Sequence, residues 1–192
     1  MSTIEILGAI TGLLCVWLTA KERLSSFPVG IANIFVFAFM FYEAKLYADF
    51  ALQLFFFLPL TIYGWYAWLS GDKNSKSVAV TRNISANEAG LLAVFGTMFS
   101  IVWAGFLHFY TDAAIPWLDA PLAVASIIAQ LLLSRKILQN WLIWIAVDVL
   151  SIGMYAYKEL YITSGLYAVF LLIAIKGYID WRKEPQYATV AQ

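Results

Sequence analysis

Charge is scarce in this sequence, and what is missing narrows the field at once. Only 12% of the 192 residues are charged, and the twelve Lys and Arg balance the twelve Asp and Glu. A net charge of zero gives no general attraction to nucleic acid. Cys15 is the one cysteine, which rules out an internal disulfide and a thiolate metal cluster. His108 is the one histidine, so a histidine metal site or a Ser–His–Asp triad finds no support. No glycine-rich loop followed by Lys-Ser/Thr is present, so the chain alone is not expected to spend ATP, and no cofactor is implied. The carboxylates are scattered and do not cluster near one interface, which argues against a membrane enzyme acting on lipid or peptide.

What is present is apolar. Hydrophobic residues make up 62% of the chain and aromatics 17%, outside the range of soluble domains. Seven long apolar stretches, 4–20, 27–42, 48–69, 88–109, 117–134, 140–157 and 161–178, read as an all-α polytopic membrane protein with seven transmembrane helices. The first stretch lacks a basic leader and a convincing cleavage site, so it reads as a retained helix. Gly8 and Gly12 within it form a small-residue packing motif. Residues 70–87, SGDKNSKSVAVTRNISAN, read as a polar surface loop. With the N-terminus outside and the C-terminus inside, ten of the twelve basic residues fall on the inner side, and only Lys45 and Lys158 fall outside. The positive-inside rule therefore favours N-out/C-in. Trp65, Trp68 and Trp181 then sit at inner ends beside basic residues, as interfacial belt residues would.

An internal repeat organises the chain further. At an offset of 115, Lys21 meets Lys136, Asn33 meets Asp148 and Tyr42 meets Tyr157; after one-residue slips, Tyr47 meets Tyr161, Gly64 meets Gly177 and Trp68 meets Trp181. The plan is 3+1+3: a first three-helix repeat (1–69), a cytoplasmic loop (70–87), a linking helix (88–110), and a second repeat with its tail (111–192). A single inserted span gives both halves the same orientation, as in SWEET-like carriers, which hold their cargo at mid-membrane between the halves. A substrate-binding subunit of an energised complex fits such a repeat less well.

The candidate site centres on NWLIWIAVDVLSIGMYAY, residues 140–157. At 100° per residue, Trp141, Trp144, Asp148, Ser151 and Tyr155 share one stripe. An ionised acid at mid-bilayer costs roughly 2.5–3.5 kcal/mol, so the stripe must face protein or a watery cavity. Tryptophans can stack on an aromatic cation, and Asp148 can balance its charge or bind hydroxyls. Asn33 joins as the repeat partner of Asp148, and Asn140 heads the stretch. In the third span Gln53 and Phe56 share a face with Phe57, and Tyr167 is the repeat partner of Gln53. In the fifth, Gln130 lies on a polar stripe with Asp119 and Ser126. The substrate-binding set is therefore Asn33, Gln53, Phe56, Gln130, Asn140, Trp141, Trp144, Asp148, Ser151, Tyr155 and Tyr167.

With these residues in hand the chain resembles the PnuC family of vitamin transporters. The resemblance rests on KLYADFALQLFFF and YGWYAW in the first half. In the second it rests on Asp119 and Ser126, Gln130, RKILQNWLIWIAVDV, and LYITSGLY leading into KGYIDW. It implies facilitated diffusion of nicotinamide riboside across a bacterial inner membrane, with a separate kinase trapping the cargo by phosphorylation. Relatives of that build carrying thiamine or riboflavin are the alternative. The partners implied are a small vitamin and the lipid bilayer, with no nucleic acid, and a homo-oligomer is compatible with the pattern. Where the family shows W-x-x-x-W, this chain has Trp141-Leu-Ile-Trp144.

Overall fold

The computed structural model describes residues 3–43, 47–70, 81–111, 115–157, 159 and 161–183. The connection at 71–80, the tail beyond Lys183, and the basic residues Lys45, Lys73, Lys76 and Lys158 lie outside the described residues. Helices α1 (Thr3–Ala20) and α2 (Ser26–Glu43) precede a third span built in three pieces. These are α3 (Tyr47–Leu52), a π-helical turn (Gln53–Phe57) and α4 (Leu58–Leu69). Then come α5 (Ala86–Tyr110), α6 (Pro116–Ser134), α7 (Asn140–Tyr157) and α8 (Tyr161–Arg182). All seven spans are long and apolar enough to cross a membrane. At 1.5 Å per residue the shortest reach about 27 Å, close to the thickness of a hydrocarbon core. Large apolar side chains such as Phe55, Val102 and Phe109 point outward, as lipid-facing residues do.

The helices pack as two bundles of three spans. In the first, α1 packs on α2, and α2 on the third span; in the second, α6 packs on α7, and α7 on α8. Across the divide α1 meets α8 and α4 meets α6. Exchanging the first three spans for the last three turns one of these contacts into the other. Helix α5 stands apart: among the described residues it packs on α6 alone, and only Ala104 and Leu107 of it are buried. It starts from a capping box in which Ser85 and Glu88 satisfy each other's backbone N–H groups.

The turns ending α1 and α6 are built alike. Both close with a Schellman motif: Arg23 N–H bonds Leu18 O and Glu22 N–H bonds Thr19 O, while Ile137 N–H bonds Leu132 O and Lys136 N–H bonds Leu133 O, all at 2.9 Å. Glu22 and Lys136 hold the left-handed residue, at φ 54 and 52. Glycine is the usual occupant there, and a side chain in that conformation costs roughly 1–2 kcal/mol. Glu22 and Lys136 are 114 residues apart, and the same displacement separates the starts and ends of α2 and α7. On that register Asp148 corresponds to Ile34 and Asn33 to Val147, one residue away from the pairing that matching residue types suggests. A helix shifted by one residue turns by 100°, so Asn33 and Asp148 are not equivalent positions.

The starts of α3 and α8 keep that displacement, but the ends of α4 and α8 are one residue closer. The π turn accounts for the difference. Leu58 N–H donates to Gln53 O, five residues back, so this turn takes in one residue more than an α turn. Pro59 follows immediately; it has no N–H for the Phe55 carbonyl, and its ring would clash with that group in a regular helix. The wider turn relieves the clash.

Candidate functional site

Both bundles contribute to one cavity of about 310 Å³. From α1 it is lined by Gly12, Cys15 and Thr19, and from α2 by Phe27, Gly30, Asn33, Phe37 and Phe41. The third span presents Gln53, Phe57 and Thr61, four residues apart. Gln130 and Leu133 come from α6, Trp141, Trp144 and Asp148 from α7, and Tyr167, Phe170 and Ala174 from α8.

Asp148 is 5% exposed. Among the described residues it is the only carboxylate in the lining, which contains no Lys, Arg or His. Asn33 Nδ2 donates to Gly8 O at 2.9 Å and to Thr11 Oγ1 at 2.8 Å. Both amide hydrogens are thereby used, and Oδ1 is left to accept. Gln130 Nε2 reaches Thr61 Oγ1 at 3.2 Å, linking α6 to α4. Tyr167 stacks on Tyr155 with ring centroids 5.2 Å apart and meets Phe170 edge-on at 5.8 Å.

Trp141 is the most constrained aromatic of the lining. It is 1% exposed, and its ring lies against Gly177, where a Cβ would fall 2.7 Å from the indole. On the displaced register its counterpart is Phe27, which lies against Gly64 in the same way, 3.0 Å from where a Cβ would sit. Each glycine is a seat for an aromatic ring of the other contacting helix. Among the described residues Trp141 Nε1 is buried without a hydrogen-bond partner, and a buried N–H of this kind normally has one.

Of the residues singled out by the sequence, Asn33, Gln53, Gln130, Trp141, Trp144, Asp148 and Tyr167 line the cavity together. Phe56 does not: it is 39% exposed, because the π turn advances the inward face to Phe57. Asn140 is fully buried at the head of α7, where its Nδ2 bonds Ile137 O at 2.7 Å. Ser151 is buried outside the cavity lining, and Tyr155 stands behind Tyr167. Ser126 bonds back to Leu122 O within its own helix. Trp68 and Trp181 are not belt residues; at 1% and 0% exposure they form the packed floor below Trp141. Lining residues that the sequence did not assign to the site include Gly12, Cys15, Phe27, Phe37, Thr61 and Phe170. Thr61 could have been found from its spacing to Gln53 and Phe57; the phenylalanines look like any other apolar residue of a span.

A family model described as nicotinamide mononucleotide transporter matches residues 2–183. The nicotinamide riboside transporter PnuC of Escherichia coli (strain K12) is 32% identical over 205 aligned residues, covering 94% of this chain and 85% of that protein. The chain belongs to the PnuC family of transporters. Another relative, the riboflavin/roseoflavin transporter RibM of Streptomyces davaonensis, is 25% identical and covers 92% of this chain and 83% of its own. The crystal structure of the vitamin B3 transporter PnuC matches the fold with a TM-score of 0.76 at 25% identity, over 94% of this chain and 80% of that one. The chain is thus a multi-pass membrane protein whose PnuC relatives are named as transporters.

Proposed function

We propose that the chain carries nicotinamide riboside by facilitated diffusion, as an alternating-access uniporter in a bacterial inner membrane. The observation that carries this reading is the cavity's charge: one buried carboxylate, aromatic walls and no basic side chain among the described residues of the lining. A pyridinium ring answers Asp148, its carboxamide answers Gln53 and Gln130, and its ribose hydroxyls answer Asn33 and Thr61. The mononucleotide named by the family model adds a phosphate, which this lining would bury with no cation beside it; an unpaired buried charge is strongly unfavourable. A neutral flavin or a thiamine would leave either the carboxylate or the carboxamides less well answered. Asn33, Gln53, Gln130, Trp141, Trp144, Asp148 and Tyr167 are the substrate-binding residues of this proposal.

Alternating access is supported by the exchange-symmetric packing of the two bundles around the cavity. The lone α5 gives the bundles a common orientation, and the basic residues favour N-out/C-in. A separate kinase that phosphorylates the riboside inside the cell then traps what has entered. Counterflow in proteoliposomes tests the whole reading. Preloaded riboside should drive entry of labelled riboside, with competition by unlabelled riboside and none by the mononucleotide. Competition by mononucleotide at equal strength, or counterflow with riboflavin alone, would replace the proposed substrate.

A further inference from the structure

The cavity floor is Phe27, Leu133 and Trp141, and beneath it Trp68 and Trp181 close the end of the bundle that carries the α1–α2 and α6–α7 turns. The Lys136 ammonium lies over both indoles, 5.5 Å from one ring centroid and 5.7 Å from the other. Its side chain is 3% exposed and it is paired with Glu22. Nothing in the binding cavity requires this pair, and the two positions are ones where glycine would be the easier residue. Strained side chains that persist against an easier alternative point to function. Here two such residues, at corresponding turns of the two halves, meet each other.

An ion pair of this kind has two settings. Dry and flanked by aromatic rings, the attraction is strong; once water enters, both ions are solvated and the attraction becomes small. The α6–α7 turn is strapped by the segment before α5: Arg82 N–H donates to Lys136 O at 3.1 Å, Leu138 N–H to Arg82 O at 2.9 Å, and Gln139 Nε2 to Asn83 Oδ1 at 2.6 Å. That strap holds Lys136 against the segment before α5.

We propose that Glu22 and Lys136 form the latch that closes the cavity at this end, and that their parting opens the site on this side. The proposal rests on the alternating-access reading. Cys15 lines the cavity and is the chain's only cysteine, so its modification by a small polar thiol reagent, added to either face of reconstituted vesicles, reports which end is open. In the native chain Cys15 should react from both faces and be protected by nicotinamide riboside. The double variant Glu22→Gly/Lys136→Gly removes both charges while suiting the left-handed backbone, so it should remain folded. Its labelling from the face bearing these turns should rise about tenfold or more relative to the other face. Exchanging the charges, Glu22→Lys with Lys136→Glu, should bring the ratio back. An unchanged ratio in the double-glycine variant, or an equal rise from both faces, overturns the latch and leaves alternating access standing. Labelling of the native chain from one face only, with or without riboside, overturns alternating access itself.

Discussion

Asp148 sets the chemistry of the cavity because it is the one carboxylate among the described residues of the lining. It lies at mid-span among aromatic rings, and among the described residues no basic side chain pairs with it. The bound cation is therefore its natural partner, and Asp148→Asn separates charge from hydrogen bonding. Hydrogen bonds to charged groups contribute roughly 1.5–3 kcal/mol, so Asp148→Asn should weaken nicotinamide riboside binding about ten- to hundredfold, and Asp148→Ala at least as much. The neutral dihydro form of the riboside should be far less sensitive. Titration of both ligands against both variants checks this, and equal losses for the two ligands would mean that Asp148 does not read charge. This residue was legible in the sequence, since an acid at the middle of an apolar run must turn towards protein or water and away from lipid. Trp68 and Trp181 were not. A tryptophan beside lysines at a span end gives the same pattern whether it faces headgroups or encloses a buried ammonium, and only the fold distinguishes the two.

At the scale of single helices, small departures from regularity decide which side chains reach the cavity. A Cβ on Gly177 would overlap the Trp141 ring, whereas one on Gly105 would meet nothing within 4 Å. Gly177→Ala should push the indole into the cavity, costing about 1–3 kcal/mol as overpacked cores do, and lower riboside affinity. Gly105→Ala should instead raise the unfolding temperature in detergent slightly, since alanine is favoured over glycine within helices by about 1 kcal/mol. A Gly177→Ala protein that binds normally would show that the ring is not held by its seat. The π turn makes a second test. Deleting the outward-facing Phe55 removes the surplus residue, so the bond from Leu58 N–H to Gln53 O becomes an ordinary α-helical one and the faces on either side of the turn stay in phase. Helical content by circular dichroism and riboside affinity should both be largely retained in this deletion, whereas Gln53→Ala should lower affinity; unimpaired affinity in Gln53→Ala would remove Gln53 from the site. The regular period explains why the sequence pointed to Phe56, which an unbroken helix could have brought inward. Pro59 was the available sign that the period would break there.

For the whole molecule, matched residue types in the sequence suggested a repeat at one register, whereas the two Schellman turns and the ends of α2 and α7 align one residue away from it. Identical residues can drift along a helix, whereas the two Schellman turns cannot. Two bundles around a cavity with a single carboxylate among its described residues make transport sensitive to voltage. A uniporter of a cation moves one positive charge inward per cycle, whichever protonation state the empty carrier returns in, provided no proton is exchanged. Such a cycle responds to voltage, at roughly 2.3 kcal/mol per charge per 100 mV. In proteoliposomes with an inside-negative potassium diffusion potential of that size, internal nicotinamide riboside should exceed external about fiftyfold at steady state. Collapsing the potential should return the two concentrations to equality, and a proton or sodium gradient at zero potential should leave them equal. The alternative cycle is physically distinct. If Asp148 takes up a proton whenever the riboside leaves, because a bare carboxylate is costly to enclose, each cation entering would be exchanged for a proton leaving. Accumulation driven by a proton gradient at zero potential, with no response to voltage, would replace the uniport reading with that exchange.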